Sequence, residues 1–105
     1  GTNYQITLEY ISTNGSRGEV GSTGTSYMEF LSDTANENRS GYMYLFNLGS
    51  SSKFSYSTFQ QMMTGTMTFG GSVYDTAETI NAIQVLTTNT NAWTGTIELF
   101  GIKQI

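Results

Sequence analysis

Asn91-Ala92-Trp93-Thr94-Gly95-Thr96-Ile97-Glu98-Leu99-Phe100-Gly101-Ile102-Lys103 lies near the end of the chain, and its reading decides the fold. It reads as a polar turn, a strand, a glycine break and one further apolar residue. Ile97 and Leu99 share one face of a period-2 strand, with Thr96 and Glu98 on the other. Gly101 interrupts the alternation. A bulge there would swing Ile102 onto the face of Ile97 and Leu99. The expectation is a strand that ties this end of the chain into a sheet.

Working outward, the same period recurs. Tyr4, Ile6, Leu8 and Tyr10 alternate with Gln5, Thr7 and Glu9, the cleanest half-buried strand of the sequence. Asn14-Gly15 ends it with a strong turn dipeptide. Ser16 to Thr25 is rich in Gly and Ser, with a short edge strand near Glu19-Val20. Ser26 to Leu31 reads as a strand with Met28 and Phe30 facing one way, and Ser32 to Gly41 as a polar loop. Lys53 to Phe59 and Thr66 to Phe69 read as strands, the latter with Met67 and Phe69 inward. Gln60 to Met63 reads as strand or as a loop plug. Val73 to Glu78 reads as a short strand or a polar corner. Ile80 to Thr87 reads as a strand with Ile83 and Val85 on one face.

Gly41-Tyr42-Met43-Tyr44-Leu45-Phe46-Asn47-Leu48 differs from these, because both of its faces are apolar. A strand buried on both sides needs cover beyond its own sandwich. Two readings stand side by side. One is a central strand under a long loop. The other is a face packed against another subunit, with Tyr42, Tyr44 and Phe46 at the interface, where tyrosine is enriched.

Short strands at turn spacings of about ten residues predict an all-β, antiparallel β-sandwich of seven to eight strands, which the resemblance given below makes jelly-roll-like. Its inward set is Ile6, Leu8, Met28, Phe30, Leu45, Phe69, Ile83, Val85, Ile97 and Leu99. The 105 residues suffice for one domain, and Gly1-Thr2 reads as the boundary of a domain cut from a longer protein.

Composition narrows the chemistry. Cysteine and histidine are absent, which excludes a disulfide framework, thiolate or Ser-His catalysis and the usual zinc sites. Only 11% of residues are charged and the net charge is -4, with no basic cluster to hold nucleic acid. No apolar run reaches membrane-spanning length. The remaining polarity is neutral, from Ser, Thr, Asn and Gly. Asp75 and Glu78 lie close together, but beside a turn, with no apolar surroundings to raise a carboxyl pKa, so no catalytic residue is assigned. Asp33, Asn36, Glu37 and Asn38 are rich in oxygen but lack calcium-loop spacing, so no metal is expected. No cofactor motif is present, since Gly15 to Gly24 lacks the lysine and the following helix of a phosphate loop.

Aromatics in polar turns are the ligand candidates. Trp93 follows Asn91, and Tyr74 precedes Asp75; these four residues form the candidate ligand-binding set. An exposed ring flanked by Asn and Asp suits the apolar face and hydroxyls of a sugar. The competing reading makes Trp93 a cap over one end of the sandwich, in keeping with its average burial.

Three blocks resemble a jelly-roll domain of bacteriophage tail fibres and tailspikes. They are Tyr4 to Ser12, then Gly41 to Asn47, and Ile80 to Val85 followed by Trp93 to Ile102. The family's ending is similar to Gly95-Thr96-Ile97-Glu98-Leu99-Phe100-Gly101-Ile102, with tyrosine commoner where Phe100 stands. The resemblance implies a virion protein outside the cell, a homotrimer without enzymatic activity, which binds a host surface glycan or stabilises the fibre tip. The alternatives are a monomeric carbohydrate-binding module of a secreted bacterial enzyme and a purely structural assembly module.

Overall fold

A computed structural model describes residues 2–29, 38–85 and 94–102. Among the described residues the chain is all-β and without helix. It runs β1 (Tyr4–Ser12), β2 (Arg17–Thr25), β3 (Arg39–Phe46), β4 (Ser55–Met63) and β5 (Thr66–Tyr74). These form one antiparallel sheet in the order β2-β1-β5-β4-β3. A hairpin (β1–β2) and a meander (β3–β4–β5) are joined where β5 pairs with β1. The two connected strands β2 and β3 therefore lie at opposite edges.

The turns follow local chemistry. Between β1 and β2, Gly15 takes φ 85°, which suits a residue without Cβ. The Asn14 side-chain oxygen accepts from the Ser16 amide at 2.9 Å. Thr64-Gly65 is a two-residue link between β4 and β5. The Thr13 amide donates to the Gly65 carbonyl at 3.0 Å, which ties the two hairpin tips together.

Register and alternation divide the sheet into two unlike faces. Ile6 lies opposite Ser72, Leu8 opposite Gly70, and Phe59 opposite both Gly70 and Met43. Every buried residue among the described ones is on this inner face. Ile6, Leu8 and Phe59 form its apolar cluster, with Met43 packed against them. Full burial of each such side chain contributes about 1.5–3 kcal/mol.

Gly70 makes this cluster possible. It stands in the middle strand between Leu8 and Phe59, where a side chain would separate them. A Cβ at Gly70 would run into the Thr7 carbonyl oxygen and come within 2.7 Å of the Leu8 Cα. The rest of the inner face is polar: Ser55, Ser57, Gln61, Thr68 and Ser72 are buried. Ser57 and Ser72 face each other across β4 and β5, and neither hydroxyl has a hydrogen-bond partner among the described residues.

Several expectations change. The short edge strand anticipated near Glu19-Val20 is nine residues long, and of the two readings of Gln60 to Met63 the strand holds, as they continue β4. Met67 and Phe69 lie on the outer face, because the pairing of Leu8 with Gly70 fixes the parity of β5. β3 is an edge strand rather than a central one, which leaves Leu45 and Met43 only half-buried on the inner face. Residues 26–29 and 80–85 lie outside any strand, with Met28 half-buried and Ile83 and Val85 exposed. The largest correction concerns the opening stretch. Residues 94–102 form no strand; Ile97 and Leu99 are exposed rather than inward, Leu99 at 77%. Alternation marks a segment that can form a strand, but only a partner edge makes it one. Phe30 lies outside the described residues.

Three substitutions test this packing. Gly70→Ala should destabilise by about 1–3 kcal/mol in urea unfolding through overpacking. Gly21→Ala, with open space around its Cβ position, should stay within about 0.5 kcal/mol of wild type. Ser72→Ala should raise stability by about 1 kcal/mol, since it removes a buried hydroxyl without a partner among the described residues; a lower urea midpoint would contradict this.

Candidate functional site

The outer face carries no buried residue on any of the five strands. Its cross-strand rows can be read from the register. One row runs Glu19, Glu9, Phe69, Gln60, Tyr42. The next runs Gly21, Thr7, Gly71, Thr58, Tyr44. A third runs Thr23, Gln5, Val73, Tyr56, Phe46. The middle row is built of small residues from β2 to β4, so it forms a trough between two taller rows. The trough holds a shallow depression of about 500 Å³, its lining including Thr7, Gly21, Tyr56, Gly71 and Val73. A smaller one of about 310 Å³ adjoins it between Glu9, Glu19 and Phe69.

One bank of this surface is aromatic. Tyr42 and Tyr44 meet edge to face with ring centres 5.5 Å apart, and Tyr44 and Phe46 lie 6.4 Å apart. Edge-to-face contact is a favoured arrangement for aromatic quadrupoles. All three rings remain about half open to solvent, Tyr42 at 53%, as does Tyr56 on the next strand. The Tyr42 hydroxyl donates to Gln60 Oε1 at 2.8 Å, while Gln60 Nε2 points to the Met67 sulfur at 3.9 Å. The ladder is thus held in place before anything binds.

The opposite bank is polar. Glu9 lies opposite Glu19, a repulsive cross-strand pair. Arg17 Nη1 approaches Glu9 Oε1 at 3.5 Å, and at this exposure the ion pair contributes little. The surface therefore grades from aromatic at β3 to acidic at β1 and β2.

Of the candidates from sequence, Tyr42, Tyr44 and Phe46 come together on one exposed ladder. Tyr74 and Asp75 are neighbours at the end of β5, but they do not form an open aromatic platform. Tyr74 is 8% exposed and stacks on Tyr4, ring centres 4.7 Å apart, so a sugar has no free ring face to lie on. Its hydroxyl donates to Glu78 Oε1. Asp75 remains exposed; its amide donates to the Asn3 carbonyl at 3.0 Å, and Gln5 Nε2 reaches its carboxylate at 3.4 Å. Trp93 and Asn91 lie outside the described residues. Tyr56 and the Gly21–Thr7–Gly71 trough escaped sequence reasoning. Their signal was faint: a glycine at Gly71 and a lone tyrosine between two serines. Among the described residues no group of three or more acidic side chains converges as a metal site.

Comparison with protein families, with curated proteins and with solved structures returned no match.

The Tyr74 phenol is held above its usual pKa, first by the hydrogen bond to Glu78, then by burial and the Glu78 charge. The folded state therefore keeps this proton when the unfolded chain loses it. The resulting stability is present below about pH 10, the unfolded value, and is lost as pH rises through the folded one. Urea midpoints between about pH 9 and 11.5 should fall more steeply for wild type than for Tyr74→Phe; identical slopes would remove the phenol from the account.

Proposed function

We propose that this chain is a non-enzymatic binding domain of a bacteriophage tail fibre or tailspike, displayed on the virion as a homotrimer. The ligand is a neutral host-surface glycan, and the outer face of the sheet receives it. The observation that carries this reading is the Tyr42–Tyr44–Phe46 ladder, exposed and pre-set beside a trough of Gly and Thr. Sugar rings offer apolar C–H faces to aromatics and hydroxyls to the Thr7, Thr58, Gln5 and Gln60 groups nearby. A surface of this kind gives adaptable polar contact around rigid rings. The carboxylates of Glu9 and Glu19 disfavour phosphates and other polyanions.

The full fold we propose is the jelly-roll sandwich of seven to eight strands, with the five-stranded sheet as one layer. The three sequence blocks that resemble phage fibre domains support it. A trimer would carry three such platforms, and linked weak sites gain avidity without new contacts. Exposure of Ile97, Leu99, Phe100 and Ile102 favours an assembly role alongside ligand binding.

A neutral-glycan array probed with the whole chain tests this reading. Tyr44→Ala should reduce binding at least about tenfold, in line with the loss of an aromatic hot spot. Trp93→Ala should leave most of it. The reverse pattern would move the site to the Asn91–Trp93 turn, and no retention of any glycan would overturn the reading.

A further inference from the structure

The two edges of the sheet are not alike. β2 reads Arg17-Gly18-Glu19-Val20-Gly21-Ser22-Thr23-Gly24-Thr25, and its pairing with β1 shifts register between Tyr4 and Gln5. Charges and an irregular register are among the devices that keep an edge strand from recruiting another chain. β3 carries one glycine, Gly41, but between Ser40 and Phe46 it has no charge and no proline, and its register with β4 is unbroken. It presents aromatic side chains on the outer face and Met43 and Leu45 on the inner one. A long, apolar, unprotected edge is a template for strand addition.

The same chain carries a segment suited to that template. Thr96 to Ile102 has the alternation of a strand yet forms no strand pairing among the described residues. Ile97, Leu99, Phe100 and Ile102 are 48–82% exposed. On the chain's own inner face Ile6, Leu8 and Phe59 are already buried. Among the described residues neither the segment nor the Ser40–Phe46 edge takes part in strand pairing beyond the β3–β4 ladder. The lengths agree: β3 spans eight residues and Gly95 to Ile102 another eight.

We infer that residues 95–102 of one copy add as a strand to the β3 edge of a second copy. Ile97 and Leu99 then lie beside Met43 and Leu45 and extend the apolar inner face. Thr96, Glu98 and Phe100 lie beside the tyrosine ladder and widen the outer platform across two copies. Because the donor segment and the acceptor edge are different surfaces, the contact is heterologous, and a closed ring satisfies every copy. The ring of three rests on the assembly half of the proposed function; glycan binding by a monomer would leave that other half standing.

Light scattering on a sizing column should give three times the chain mass for wild type. Leu99→Asp should give the monomer mass with the strand-type circular dichroism retained. Since the chain has no cysteine, a second experiment locates the contact. Single variants Leu99→Cys and Leu45→Cys, mixed and oxidised, should form a cross-linked heterodimer, because paired strands hold Cα atoms at disulfide distance. Leu99→Cys mixed with Val20→Cys on the other edge should not. A wild-type monomer at every concentration, cross-linking to Val20→Cys, or an intrachain bridge in the double variant Leu45→Cys/Leu99→Cys would each overturn the inference.

Discussion

The sheet depends on one row of its inner face: Leu8, Gly70, Phe59, Met43. Large side chains on β1 and β4 meet over a glycine on the strand between them. Close packing in a protein interior leaves no room for an added methyl where backbones approach this nearly. The missing side chain joins the β1–β2 hairpin to the β3–β4–β5 meander through contact above the sheet as well as through hydrogen bonds within it. It also fixes which residues of β5 face inward. Thr68, Ser72 and Tyr74 share the parity of Gly70, so Met67, Phe69 and Val73 are turned outward.

That choice of parity creates the outer surface. With apolar residues of β5 directed outward, the uncovered face acquires a half-apolar centre between the tyrosine ladder and the acidic hairpin. The inner face compensates with small hydroxyl residues, which pack closely but add little apolar area. Stability and the candidate site are therefore coupled through the same strand. The apolar material that would have enlarged the core lies in the rows that flank the trough instead.

Some of this was legible in the sequence. Tyr4 to Tyr10 alternates so regularly that its faces were clear, and Asn14-Gly15 marked its turn. The apolar doubling of Tyr42 to Phe46 singled out the ladder. What could not be read was pairing. The parity of Thr66 to Tyr74 is set by the pairing of Gly70 with Leu8, far away in sequence, and hydropathy favoured the wrong alternation there. Buried Gln61 and Thr68 carry no apolar signal at all. Tyr74 looked exposed because it precedes Asp75, yet ring contact with Tyr4 draws it inward. Ile97 and Leu99 had the period of a strand, but period does not specify the edge that receives it.

The corner where β1 begins and β5 ends has a mechanical consequence. Tyr4 lies opposite Tyr74 at the last rung, and Asn3 bonds to both Asp75 and Thr76. The chain enters and leaves the central pair of strands on the same side. Tension applied between these two points would load the rungs one after another, as in unzipping, instead of all together in shear. The stacked tyrosines and the Asn3 contacts sit at the first rung to yield. They act as a clasp whose release, not the strength of the whole ladder, sets the force at which the central strands part.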